Sequence, residues 1–358
     1  MDNESGQPAT KNILITGAGG LIGPLLAARL LSTPQYRLLL TDLAEPIIPS
    51  TSLYPQHATT LRGDITSPSF ITTLLTHPAI QPLHAVFLFH GIMSAASEAD
   101  PSLSLRVNVD SIRALTAALQ THHPNNNSSS SSDSTRVRVI YASSLAVFGP
   151  PFPLPPSPTA QAQAKAQAKV PPHWAPTPQS TYGAHKLLSE VLLNEAHRRG
   201  ELDVVIARLP TVSVRPGKPT GAASSFLSGI IREPMNGVEC VVPLRDRGFR
   251  AFLASPRTVV ENLVKVLGWE RGVLKEGHVR QVLFPGIAVS VQELRDALGK
   301  YGGEGRLRLI REVEDEGLER ILRGWAEDFD IEESLRLGLV VDESGDGLVR
   351  EYVEGLGK

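Results

Sequence analysis

Near the N-terminus the chain reads Asn-Ile-Leu-Ile-Thr-Gly-Ala-Gly-Gly-Leu-Ile-Gly at residues 12–23. The first five of these residues are typical of a buried strand, and leucines at helical spacing follow the last glycine. Glycine permits a tight turn and lets the backbone approach a pyrophosphate, while the free amides of the following helix face the phosphates. The stretch therefore predicts a dinucleotide-binding strand–turn–helix unit, with an ordinary glycine-rich turn as the alternative. The residues expected to line the cofactor are Gly17, Gly20, Leu21, Ile22 and Gly23.

A carboxylate closes the second predicted strand. Residues 37–41 form an apolar run that ends at Asp42, 19 residues after Gly23. A carboxylate there can accept hydrogen bonds from the adenosine ribose hydroxyls and would repel the additional phosphate of NADP, so it favours NAD. Asp64 and Ile65 follow the third predicted strand. We expect them near the adenine, with a simple turn aspartate as the alternative.

Strand and helix patterns alternate through the first 212 residues. Further apolar strands are predicted at 60–62, 85–89, 137–141 and 204–208, and helices at 102–121 and 181–199. Continuous apolar strands that alternate with helices indicate a parallel sheet covered on both faces. The predicted fold is α/β: a Rossmann-type doubly wound parallel sheet with a smaller α/β C-terminal lobe.

The predicted domain boundaries follow this pattern. Residues 12–212 form the NAD-binding domain, and a helix at 256–267 returns to it. Residues 213–255 and 268–358 belong mostly to the substrate-binding lobe. An Asn/Ser run at 125–134 and a Pro/Ala/Gln-rich segment at 150–178 are predicted to be flexible insertions. The second is either a tolerated surface loop or a lid over the site.

A tyrosine and a lysine four residues apart are the first candidate catalytic pair. Tyr182 and Lys186 share one face of the helix predicted at 181–199. A nearby ammonium lowers a phenol pKa by favouring the phenolate, and the same lysine can hold the nicotinamide ribose. Tyr182 would then act as general base in alcohol oxidation, or as general acid in the reverse direction.

The run from Tyr141 to Gly149, Tyr-Ala-Ser-Ser-Leu-Ala-Val-Phe-Gly, precedes this pair. It resembles the Ser-Ser-x-Ala-Val-Tyr-Gly segment of extended short-chain dehydrogenases and sugar epimerases. The resemblance implies that Ser144 is the catalytic serine that hydrogen bonds the substrate oxygen. It also implies that Asn108, in Arg-Val-Asn-Val, supports a proton-relay water.

A second run, Arg-Leu-Pro-Thr-Val-Ser-Val-Arg-Pro-Gly at 208–217, is similar to the D-erythronate dehydrogenase branch of that family. This resemblance implies an NAD-dependent enzyme that oxidises a four-carbon sugar acid at C2. A sugar-nucleotide epimerase is the alternative, and a non-catalytic NAD-binding regulator is a third reading. The resemblance also implies a homodimer, paired through the helices near 102–121 and 181–199.

The same resemblance places further residues along the cofactor. Pro210 and Val212 are expected beside the nicotinamide, and Gly91 near the cofactor as well. His90 occupies a position where the family usually has a small residue. It is expected either to touch the nicotinamide ribose or substrate, or to be a packed histidine.

An anionic hydroxy acid needs a cation or several hydrogen-bond donors for its carboxylate. Arg232 is the first candidate because it lies in a segment expected to cross the cleft, and Arg250 is the second. The serine candidates for polar contacts to the substrate are Ser94, Ser224 and Ser225.

Bulk composition excludes several function classes. The chain has 358 residues and a net charge of −2, so it lacks the broad basic field that would hold nucleic acid or an anionic membrane. Its single cysteine permits no intrachain disulfide, which together with a polar N-terminus favours the cytoplasm. No cysteine or histidine cluster has metal-ligand spacing, and none is needed for this chemistry.

Overall fold

A seven-stranded parallel sheet with the order β10-β6-β5-β4-β1-β2-β3 forms the centre of the protein. This is a computed structural model, and it describes residues 10–124, 136–153, 169–219, 222–274 and 279–356. The strands of this sheet are β1 (Lys11–Thr16), β2 (Tyr36–Asp42), β3 (Ala58–Arg62), β4 (Leu83–Leu88), β5 (Arg138–Ser144), β6 (Asp203–Leu209) and β10 (Gln281–Leu283).

Helices cover both faces of this sheet because its strands are apolar on both sides. In β1, Ile13 and Ile15 face one hydrophobic core and Leu14 faces another. The helices of the first domain are α1 (Ile22–Leu30), α2 (Pro68–Leu75), α3 (Ser94–Ala99), α4 (Pro101–Leu105), α5 (Ser111–His122) and α6 (Thr181–Arg198), and a π-helical turn, Arg106–Asp110, links α4 to α5. This is the expected doubly wound arrangement.

The sheet order reverses direction at β1. Strand β1 pairs in parallel with β2 on one side and with β4 on the other. Strand β3 follows β2 in the chain and lies on its outer side, whereas β4 lies on the opposite side of β1. Ligands of such sheets bind in the crevice outside the carboxyl ends of the strands at this reversal.

The second lobe is built on two small sheets. The order β11-β9-β7 joins Ile287–Ser290, Arg250–Ala254 and Thr211–Val212, and β8 (Cys240–Val242) pairs with β12 (Ile310–Glu312). Its helices are α7 (Ser225–Met235), α8 (Pro256–Gly268), α9 (Val291–Gly302), α10 (Glu304–Leu307), α11 (Glu316–Arg323), α12 (Glu332–Arg336) and α13 (Gly345–Gly355).

Two segments after residue 255 contact the first domain. Helix α8 packs against α1 in a shared hydrophobic core. Its Glu261 accepts a 2.7 Å hydrogen bond from Arg29 of α1. Strand β10 extends the central sheet beside β6, although the predicted boundary places it in the smaller lobe. Its Val282 and Leu283 are buried there, so the apolar edge of β6 is covered.

One described residue of the Pro/Ala/Gln-rich segment is anchored to the rest of the protein. Val170 is fully buried, and its amide donates to the carbonyl of Asp328 at 3.0 Å. It joins an aromatic cluster with Phe148 and Phe329, whereas the flexibility of the segment stays a prediction. Residues 125–134 and 154–168, also predicted to be flexible, lie outside the described residues.

No helix in the described part of the chain is both long enough and apolar enough to cross a membrane.

Candidate active site

The glycine turn between β1 and α1 requires its glycines for two different reasons. Gly17 has a φ of +67°, and a Cβ there would lie 2.4 Å from the amide nitrogen of His90. A Cβ at Gly23 would lie 2.6 Å from the Cα of Ala18, so this glycine lets helix and turn pack closely. The helix has no side-chain cap at Leu21 and no acidic residue in its first turn. Its first amides are therefore suited to a pyrophosphate, and the turn fits a dinucleotide.

Asp42 lies directly beside this turn. Its Oδ2 accepts a 2.9 Å hydrogen bond from the amide of Gly19, and its Oδ1 accepts from the amide of Leu43 at 2.6 Å. This places a carboxylate at the carboxyl end of β2, where a ribose diol would lie. Asp64 is exposed, and its Oδ1 accepts from both the amide and the hydroxyl of Thr66 at 2.8 Å. Asp64 and the following Ile65 thus start the turn after β3.

His90 is held between a strand and a helix. Its Nδ1 lies 2.7 Å from the hydroxyl of Thr16, and its Nε2 lies 2.9 Å from the hydroxyl of Ser111. Burial, followed by the charge of Lys186, lowers the pKa of His90 to about 3. The imidazole is therefore neutral, and both ring nitrogens are engaged within the protein. This arrangement is that of a packed histidine.

Asn108 fixes the loop that follows β4. It lies buried in the π-helical turn, and its Oδ1 accepts from the amide of Ile92 at 2.7 Å while its Nδ2 donates to the Ile92 carbonyl at 3.0 Å. A Cβ on the neighbouring Gly91 would lie 3.0 Å from that Oδ1 and 3.6 Å from the Nζ of Lys186. The main-chain carbonyl of Asn108 accepts from Ser189 at 2.7 Å.

Ser144, Tyr182 and Lys186 lie together in the structure. Ser144 ends β5 and Tyr182 lies in the first turn of α6, where the side chain of Ser144 is close enough to lower the pKa of the Tyr182 phenol. The close approach depends on Gly183, where a Cβ would lie 2.1 Å from the carbonyl oxygen of Ala146. Lys186 is buried one turn further along the same helix.

Burial controls the protonation of this pair. It raises the pKa of Tyr182 to about 12, while Ser144 and the positive charge of Arg215 act to lower it. Burial lowers the pKa of Lys186 to about 8, opposed by Glu190. The net pKa of Tyr182 is thus raised, against the expectation of a lowered value, because burial outweighs the groups that favour the phenolate.

A buried ion pair that the sequence analysis did not single out supports these residues. Glu190 is fully buried, and its carboxylate accepts from the Nη2 and Nε of Arg208 at 2.7 and 3.0 Å. Ser143, next to Ser144, donates to the same carboxylate at 2.5 Å. The signal was its position four residues after Lys186, which places it on the same face of α6.

The predicted substrate-binding arginines have other partners. Arg232 is 3% exposed, and it forms a 2.6 Å ion pair with Glu233 and donates to the main-chain carbonyl of Arg215 at 3.0 Å. Arg250 is exposed, and its Nη2 donates to the carbonyl of Ala288 at 2.6 Å. Neither guanidinium interacts with Tyr182 in the way that Arg215 does.

The remaining predicted contacts are distributed around the cleft. Ser94 begins helix α3, whose Glu98 accepts from the amide of Thr181 at the start of α6, at 2.7 Å. Ser224 is buried, 3.5 Å from the Nη2 of Arg215, and Ser225 begins α7. Of the residues predicted to lie beside the nicotinamide, Pro210 lies between β6 and β7, and Val212 ends β7.

Among the described residues, no group of three or more histidine, cysteine, aspartate or glutamate side chains could hold a metal ion.

Comparisons with known proteins agree with this geometry. Residues 13–255 match the model of the NAD dependent epimerase/dehydratase family. A D-erythronate dehydrogenase from Haemophilus influenzae is 31% identical over 345 residues, which cover 96% of this chain and 98% of the relative. A D-erythronate dehydrogenase from Cupriavidus necator is 33% identical, and the match covers 97% of this chain and 99% of that protein.

Solved structures share the fold along the whole chain. A nucleoside-diphosphate-sugar epimerase from Agrobacterium tumefaciens has a TM-score of 0.84 and 29% identity, with 100% of this chain and 99% of that chain covered. An L-threonine dehydrogenase from Cupriavidus necator has a TM-score of 0.77 at 18% identity, covering 96% and 99% of the two chains, and so it shows the fold alone. By its family-model match and its full-length relatives, the chain belongs to the NAD-dependent epimerase/dehydratase family.

Proposed function

We propose that this protein, an NAD-dependent dehydrogenase, oxidises a secondary alcohol of a small sugar acid, namely D-erythronate at C2, to the 2-keto acid. The observation that carries the proposal is the cluster of Ser144, Tyr182 and Lys186, in which Ser144 favours the phenolate of Tyr182 and the buried Lys186 ammonium lies 5.6 Å from the Tyr182 ring centroid. The full-length similarity to two D-erythronate dehydrogenases supports the choice of substrate.

The chain offers a continuous surface for NAD. Amides of the glycine turn would hold the pyrophosphate, Asp42 would accept from the adenosine ribose, and Lys186 would donate to the nicotinamide ribose. Gly91 leaves room for the cofactor beside Lys186 because a side chain there would reach Asn108. When bound, NAD supplies the acceptor for the hydride that leaves the substrate carbon.

The protein residues handle the proton of the alcohol. Ser144 orients the substrate hydroxyl by hydrogen bonding, and Tyr182 accepts its proton as general base. The alcohol thereby loses one proton to the phenolate and one hydride from carbon, which leaves a carbonyl. Because the pKa of Tyr182 is raised to about 12, groups that stabilise its phenolate set how much active base is present near neutral pH.

A sugar-nucleotide epimerase is the second candidate, and the similarity to the Agrobacterium epimerase favours it. An epimerase regenerates its NAD in each turnover, whereas a dehydrogenase releases NADH. We would therefore incubate the protein and NAD with D-erythronate, other aldonates and UDP-sugars, and follow NADH absorbance and sugar composition. Formation of NADH from an aldonate would support the dehydrogenase function. Conversion of a UDP-sugar without release of NADH would support the epimerase function instead.

We also propose a homodimer. Helix α4 exposes Leu103 and Leu105, at 39% and 40% of their surface, and α6 exposes Leu188 and Val191, at 48% and 59%. Exposed apolar side chains on two helices are suited to pairing with a second copy. Light scattering at micromolar concentration tests this, and a monomer mass would contradict it.

A further inference from the structure

Arg215 is fixed by hydrogen bonds of both its backbone and its side chain. Its amide donates to the hydroxyl of Ser228 at 3.0 Å, and its Nε donates to the carbonyl of Val212 at 2.9 Å. The Nη2 group lies 3.5 Å from the hydroxyl of Ser224. These contacts orient the planar guanidinium from one edge and leave the Nη1 group without a hydrogen bond in the described part of the chain.

Among the residues that the structure describes, no acidic side chain pairs with this guanidinium. Within the described ranges Arg215 forms no ion pair, and the ionisable groups that act on it are Tyr182 and Arg232. Glu233 is already paired with Arg232 at 2.6 Å. The charge of Arg215 is therefore uncompensated beside the catalytic phenol.

A partly buried guanidinium without a carboxylate is unfavourable unless a ligand supplies the missing negative charge. A guanidinium also presents its donors as a fork that matches a carboxylate with two parallel hydrogen bonds. A 2-hydroxy acid carries its carboxylate on the carbon next to the reacting alcohol. An anion held at Arg215 would thus bring that alcohol toward Tyr182 and Ser144.

We propose that Arg215 binds the substrate carboxylate and selects 2-hydroxy acids over neutral alcohols. The inference rests on the proposed dehydrogenase function and replaces Arg232 with Arg215 as the first candidate for this contact. Arg232 then acts as a support, since its Nη1 holds the main-chain carbonyl of Arg215 at 3.0 Å.

The test compares an acid with its own neutral derivative. D-erythronate and D-erythronamide differ only in the carboxylate, so their ratio of kcat/KM measures the contribution of that charge. Wild type, Arg215→Met and Arg215→Lys would be assayed with both compounds by NADH absorbance. Arg245→Met is the matched control, because Arg245 is exposed and pairs with Glu314 at 3.6 Å.

For Arg215→Met we expect KM for the acid to rise about 10- to 150-fold, the range of one charge-assisted hydrogen bond. The amide should lose little, NAD affinity should be unchanged, and Arg245→Met should behave as wild type. Arg215→Lys keeps the charge without the fork, so an intermediate KM is expected, and this variant carries the test if Arg215→Met does not fold.

Three failures are distinguishable. If the wild type reduces NAD with the acid and Arg215→Met keeps the wild-type preference for acid over amide, Arg215 does not bind the carboxylate. If Arg215→Met loses activity toward acid and amide equally, its role is structural and the inference is also wrong. If the wild type reduces NAD with no hydroxy acid, the proposed function itself fails, and the inference with it.

Discussion

The ammonium of Lys186 lies 5.6 Å from the ring centroid of Tyr182, while its Nζ donates to the main-chain carbonyl of Ala142 at 2.8 Å. The lysine ammonium therefore lies near the tyrosine ring and is hydrogen bonded to the main chain. The side chain of Ser144 acts on the phenol by favouring the phenolate, which lowers the pKa of Tyr182. The two candidate catalytic side chains thus have separate partners.

Replacing Tyr182 with phenylalanine should abolish turnover and leave NAD binding intact. The ring and its packing remain, but the transferable proton is lost, and general acid–base catalysis typically contributes about 10²- to 10⁴-fold. Steady-state oxidation and a fluorescence titration with NADH measure the two effects. A folded Tyr182→Phe protein with near wild-type activity would contradict the mechanism.

Replacing Asp42 with alanine should narrow the preference for NAD over NADP. The carboxylate beside the Gly19 amide would repel the 2′-phosphate of NADP, and the substitution removes that repulsion. The measurement is kcat/KM for both cofactors in wild type, Asp42→Ala and Glu45→Ala. Glu45 is an exposed carboxylate three residues further along and controls for a general loss of negative charge. A wild-type protein with equal kcat/KM for NADP and NAD would refute the role of Asp42 in selecting NAD.

Replacing Glu190 with glutamine should destabilise the fold strongly. The substitution leaves the guanidinium of Arg208 buried without its carboxylate, and breaking such a buried pair costs about 3–5 kcal/mol. Glu195→Gln, on the same helix, breaks an exposed pair with Arg198 and should have little effect. Urea unfolding compares the two. The account of the buried pair does not hold if both variants unfold at the same urea concentration.

His90 should make the protein sensitive to acid. Its pKa falls from 6.5 to about 3 in the folded chain because of burial. Between these pH values the His90 imidazole is protonated in the unfolded chain and neutral in the folded chain. The free energy of unfolding therefore decreases as pH falls through this window. We expect the free energy of unfolding to fall less between pH 7 and pH 4 in His90→Gln than in wild type. Equal pH dependence in the two proteins would count against a neutral, packed His90.

Much of the first domain was predictable from local sequence. The apolar runs at β1, β2, β4, β5 and β6 and the glycine turn are signals contained within a few residues, and the structure places all of them as one sheet. The family resemblance then indicated that Ser144 and Tyr182 act together, and in the structure the side chain of Ser144 is close enough to lower the pKa of Tyr182. The position of such groups along the chain is enough to predict that they meet, because each of them ends a strand or starts a helix at the same edge of the sheet.

The segment that carries Val170 was beyond prediction from sequence. Its composition, rich in proline, alanine and glutamine, is typical of a tolerated insertion. The burial of Val170 depends on Asp328 and Phe329, which lie about 160 residues further along the chain. A low-complexity segment can therefore contain a residue that packs into an apolar cluster formed by distant parts of the chain.

By itself the sequence determined the parallel sheet and the dinucleotide turn, and its family resemblance named Ser144, Tyr182 and Lys186 as the candidate catalytic residues. Only the tertiary structure decided which arginine is free to meet an anion. Arg232 was the predicted contact for the substrate carboxylate and Arg215 was not, although the two side chains are chemically identical. Arg232 has its charge neutralised by Glu233, whereas Arg215 faces Tyr182 without an acidic partner among the described residues. The physical reason is that a charge is available to a ligand only when its neighbours in space, rather than in sequence, leave it uncompensated.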